Sequence, residues 1–150
     1  MNLERLMKLL PAVLIATTVW SCSLLQTDEV ENELRHAEMA VAQGDMIVAK
    51  SVASHISADP MLSTLTPSQL GRLSLVYMQM ADSADQAENI SAATDCYHRA
   101  FQANADSAAR FYGEVAPEHT AHAMMLAAIV RSLDAPADTS LLINEEPDSI

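Results

Sequence analysis

Glycine occurs at only three positions, 44, 71 and 113, in a chain of 150 residues. Tight hairpin turns draw on glycine because it reaches positive φ without steric cost, and strands draw on β-branched and aromatic residues. With only two phenylalanines as well, a β-sandwich or an α/β sheet has little to build from. Alanine, leucine and methionine, all strong helix formers, dominate instead. The expected fold is all-α. The same scarcity removes any glycine-rich phosphate loop, and no nucleophile elbow is present.

Helix punctuation divides the chain. Val30, Leu34, Ala37 and Val41 form a stripe at helical spacing, with Asp28 and Glu31 as a capping pair and Gly44 as a stop, which predicts a helix over 28–43. Asp45 caps a second helix ending near Asp59 and Pro60, with Met46, Ala49, Ala53 and Ile56 inward. The PMLSTL stretch reads as a loop. Thr66-Pro67-Ser68-Gln69 is a capping box with proline at the first helical position; the helix after it carries Leu70, Leu73, Tyr77, Met80 and Ala81 on one side. The ADSADQAEN segment reads as a polar connection or a frayed helix end. A fourth helix carries Ile90, Ala93, Tyr97, Ala100 and Phe101, a short fifth includes Phe111, Tyr112 and Val115, and Pro117 opens a sixth reaching about Leu133. Residues 135–150 combine two prolines, several acids and no base, the composition of a disordered tail.

The N-terminus carries an address. Arg5 and Lys8 precede a twelve-residue apolar run, Leu9 to Trp20, and small or polar residues follow at Ser21 and Cys22. This is the layout of a secretory leader, with a run shorter than the roughly 20 apolar residues of a membrane-spanning helix. The sequence VWSC resembles the lipobox of bacterial lipoproteins, with Val19, Ser21 and Cys22 in the defining places and bulky Trp20 between. That resemblance implies a signal peptide over 1–21, diacylglyceryl transfer to the Cys22 thiol, and a tether over 22–27. It further implies a membrane anchor held by acyl chains, each buried methylene contributing roughly 0.8 kcal/mol. The general style is that of Bacteroidota lipoproteins. The residues after Cys22 imply the outer membrane, facing the periplasm or displayed at the cell surface. Cys96 is then the sole remaining thiol and reads as a buried structural residue.

Ala49, Ala53, Ile56 and the Asp59-Pro60 turn parallel Ala93, Tyr97, Ala100 and Asn104. Both runs resemble the second helix of a tetratricopeptide repeat, in which small residues let one helix press against its partner. The two alanines are 44 residues apart, beyond the family's 34-residue period. The resemblance implies antiparallel helical hairpins stacked over 28–134, the alternative being an irregular helical bundle.

The formal charge is −12, and the part following the leader has six basic and 19 acidic residues. Such a surface repels phosphate backbones, so no nucleic-acid partner is expected. His119 and His122 lie three apart with Met125 nearby, a combination of soft thioether and imidazole that would suit copper; Met78 and Met80 are further ligands if the fold brings them close. Two histidines fall short of a full site, and the spacing is not that of the HExxH metalloproteases. No cofactor is expected, and no constellation of nucleophile, base and metal points to an enzyme. The expectation is a protein–protein adaptor, or accessory subunit, that binds an envelope protein or peptide. The repeat resemblance places its contact face on the first helices, at Glu31, Arg35, Glu38, Gln69, Arg72 and Gln79. A small-ligand or copper-binding lipoprotein is the alternative.

Overall fold

The computed structural model describes residues 29–135 except position 59. The expected leader and tether, Cys22, the expected Asp28 cap and the chain beyond 135 lie outside the described residues. Within them are six α-helices and no strand, so the all-α expectation holds. No helix there is long and apolar enough to cross a membrane.

Helix α1 covers residues 29–42. It closes where the sequence placed its stop: Gly44 has φ +77, its N–H bonds the Val41 carbonyl at 3.0 Å, and the Asp45 N–H bonds the Ala40 carbonyl at 2.9 Å. This pair of bonds is the Schellman arrangement. Helix α2, Met46–Ser57, follows at once, and the Asp45 carboxylate accepts the Val48 N–H at 3.1 Å. Its inward face is Ala49, Ala53 and Ile56, all fully buried, with Met46 at the edge.

Two segments differ from the expectation. PMLSTL is not a free loop: Met61–Thr64 form a 3₁₀ turn, and Leu62 and Leu65 are buried in the core. Their apolar side chains outweigh the turn-like neighbours once a core is in reach. The polar connection is also shorter than it reads, because helix α4, Gln86–Ala103, takes up half of it. Only 82–85 turn, and Asp85 adopts left-handed backbone at φ +47, a conformation that aspartate tolerates better than most residues.

Helix α3, Pro67–Ala81, begins with the predicted capping box: the Thr66 hydroxyl accepts the Gln69 N–H at 3.3 Å, and the Gln69 amide oxygen accepts the Thr66 N–H at 3.0 Å. Its burial is wider than a one-sided stripe, since Leu70, Leu73, Ser74, Leu75, Val76, Tyr77 and Met78 are all inside. The reason is position. Helix α3 packs along α4, touches α2, and is covered further by α5, Ala105–Gly113, and α6, Thr120–Asp134. A helix that is apolar almost all round is a central one.

Helix α5 starts on Asn104, whose side chain accepts the Ser107 N–H at 2.8 Å. Val115 lies past its end. Pro117 opens a 3₁₀ turn, Pro117–His119, rather than the helix itself. Four of the chain's six aromatic rings meet where α4 and α5 cross: Tyr97 lies 4.7 Å from Phe101 and 4.8 Å from Tyr112, and Phe111 stands edge-on to Tyr112 at 5.1 Å. Alanines at 93 and 100 are fully buried on α4, the helix that packs along α3.

Candidate functional site

A groove of about 440 Å³ runs across α1, α3 and α5. Helix α1 contributes Glu38; α3 contributes Arg72, Val76 and Gln79; α5 contributes Arg110 and Phe111, with Glu114 just past its end; and His119 closes one end. The floor is apolar and the rim is charged.

Arg72 organises the α1 side. Its Nε and Nη2 donate to the two oxygens of Glu38, both at 2.7 Å, and its Nη1 donates to Glu31 at 2.6 Å. Charge-assisted bidentate pairing of this kind fixes geometry as well as charge. The paired Glu38 carboxylate, ahead of Glu31, raises the guanidinium's pKa further above its usual range. Replacing Arg72 by methionine is expected to cost about 1–2 kcal/mol, because two carboxylates are then left facing each other in a partly buried place. In a double-mutant cycle with Glu38→Gln, urea denaturation should show a coupling of at least about 0.5 kcal/mol, whereas additive losses would mean that the pair holds nothing together.

Helix α5 reaches the groove through two contacts with α3. The Tyr112 hydroxyl lies 2.7 Å from the Ser74 hydroxyl, which itself donates to the Gly71 carbonyl at 2.6 Å. Ser74 has spent its only proton, so Tyr112 is the donor. The second contact is steric. Gly71 faces the Phe111 ring so closely that a Cβ there would run into it. Gly71→Ala therefore sets a helix-propensity gain of about 1 kcal/mol against displacement of the ring, and overpacking of this kind costs about 1–3 kcal/mol. We expect a net loss of stability, recovered by adding Phe111→Leu; a stabilised single variant would show that the ring moves freely.

Glu38, Arg72 and Gln79 line the groove, and Glu31 stands behind Arg72. Arg35 is exposed on α1 outside the lining. Gln69 is no surface position: it is 8% exposed, and its amide is committed to the α3 cap. The α5 wall was missed altogether, Arg110 included, which is exposed and makes no ion pair among the described residues. A nine-residue helix with charges at 106 and 110 and aromatics at 111 and 112 gives no signal of which wall it will form.

The histidine–methionine set is not gathered. His119 lines the groove, while His122 turns to Asp82, its Nε2–H donating to the carboxylate at 2.8 Å and its buried Nδ1 without a partner among the described residues. Met125 is on the outer face of α6, and Met78 and Met80 are core residues. Among the described residues no group of three or more His, Cys, Asp or Glu side chains could hold a metal ion. Cys96 is buried as expected, and burial, with help from Asp95, pushes its thiol up to about 12.

No family model, curated protein or solved structure matches the chain.

Proposed function

We propose that the protein is a lipid-anchored adaptor of a bacterial envelope, built of tetratricopeptide-like hairpins, that holds a segment of a partner protein in the α1–α3–α5 groove. The observation that carries this reading is the groove itself. Its walls come from the first helix of each successive pair, α1–α2, α3–α4 and α5–α6, the side on which stacked hairpins present a concave face. An apolar floor under a charged rim suits an extended or helical peptide with alternating side chains. The lipobox-like VWSC supports anchoring through Cys22, on the outer membrane and facing either the periplasm or the surface. The tag for testing goes after Ile150. Crosslinking in living cells followed by membrane purification should recover one abundant envelope partner from the wild type, lost from Arg110→Glu and Arg72→Glu. Equal recovery from both variants would remove the groove from the account.

The anchor has its own test. Cys22→Ala should abolish incorporation of an alkyne-labelled fatty acid and leave an uncleaved precursor; labelling that persists would place the acyl chains elsewhere.

A further inference from the structure

The polar groups of the groove divide into those already engaged and those that are open. Arg72 is engaged, with Nε, Nη1 and Nη2 all bonded to Glu38 and Glu31. Arg110 is the other guanidinium in the lining. It lies four residues from both Asp106 and Glu114, the usual spacing of a helical ion pair. Its side chain nevertheless pairs with neither and makes no other ion pair or hydrogen bond among the described residues. Its five donors are therefore open to a carboxylate from outside, and a guanidinium fits a carboxylate in a two-bond fork.

The smaller polar groups bear on the backbone form of the occupant. The hydroxyls of Ser68 and Ser107 make no hydrogen bond among the described residues. Gln79 donates its Nε2–H to the Leu75 carbonyl at 3.1 Å, and its Oε1 accepts nothing among the described residues. An extended chain brings unpaired N–H and C=O groups to such a lining, whereas a helix has spent its own internally. Between these groups the floor is apolar, with Leu75, Val76 and Phe111.

This rests on the groove reading: with the groove as the partner's seat, we propose that its occupant is an extended segment carrying an acidic side chain and, two residues away, a large apolar one. The acid pairs with Arg110 and the apolar side chain lies on Leu75, Val76 and Phe111. The spacing follows from extended backbone, in which residues two apart face the same side, roughly 6.6 Å from each other.

A photo-activatable residue at Ala116, exposed in the lining, tests this on the full chain in living cells, with the crosslinked segment of the partner sequenced by mass spectrometry. The segment should hold an acid two residues from a large apolar residue. Reversing that acid to lysine, or making Arg110→Glu, should each lower the crosslink yield at least about tenfold. The two reversals together should restore it to within about threefold of the wild type. An acid three or four residues from the apolar residue, the spacing of one helical face, would overturn the extended form. Single losses that the double reversal leaves unrestored would overturn the pairing with Arg110. Either result leaves the groove as the partner's seat, whereas no crosslinked species from position 116 would remove the groove and this occupant together.

Discussion

Leu73→Ala should lower the unfolding free energy by about 3–4 kcal/mol, read as a fall in the urea midpoint at unchanged slope. Leu73 is fully buried near the middle of α3, the helix that touches α2, α4, α5 and α6. Truncation there leaves a cavity in the packing of a helix bounded by several others, and such surroundings relax only in part to refill it. In a domain whose total stability is on the order of 5–15 kcal/mol, such a loss takes away a large share of it. The conservative Leu73→Met should cost less than about 1.5 kcal/mol, because volume is kept. Met124→Ala, on the exposed face of α6, should stay within about 0.5 kcal/mol. Equal losses at 73 and 124 would mean that α3 is not the centre of the core.

Alkaline pH is the second large lever. Burial pushes Cys96 up to about 12 and, more than any other cause, raises Tyr77 and Tyr112 above their ordinary range. Hydrogen bonds to Ser57 and Ser74 oppose the rise at the two tyrosines without cancelling it. The folded state therefore keeps protons that the unfolded chain releases. Stability from these groups is complete below the unfolded value, about 9 for the thiol and about 10 for the phenols, and is lost as pH rises toward the folded values. The slope is about 1.4 kcal/mol per pH unit for each group titrating only in the unfolded chain. Urea midpoints measured from pH 8 to pH 11.5 should be flat at first and then fall ever more steeply. In Cys96→Ala the early part of the fall, between about pH 9 and 10, should disappear. A flat profile throughout would mean that these side chains reach solvent in the folded protein.

What could be read from the sequence was what short-range chemistry decides. Gly44, Asp45, Thr66 and Gln69 announce their caps because each bond closes within five residues. The stripe residues of α1 and α2 were legible because a helix buried on one side leaves a period. Helix α3 was harder: LSLVYMQM is apolar with almost no period, which is the signature of burial all round and was read as one face. PMLSTL and ADSADQAEN misled in the same way, their polar residues outweighing Leu62 and Leu65 in one case and the start of α4 in the other. The groove was half visible. Glu38, Arg72 and Gln79 followed from the repeat resemblance, but Arg110, Glu114 and Phe111 reach it because Gly71 and Ser74 dock α5 on α3, contacts across 38 and 40 residues of chain. No local pattern encodes that.

The central claim is that the groove of alternate helices is where a partner sits. Its most direct test places a photo-activatable residue, in living cells, at Gln79 and Ser107 in the groove and at Ile47, 85% exposed on α2, as the control. The account predicts one shared crosslinked species from positions 79 and 107, absent from position 47 and abolished by Arg110→Glu. A species formed from position 47 alone, or equally from all three, would contradict it.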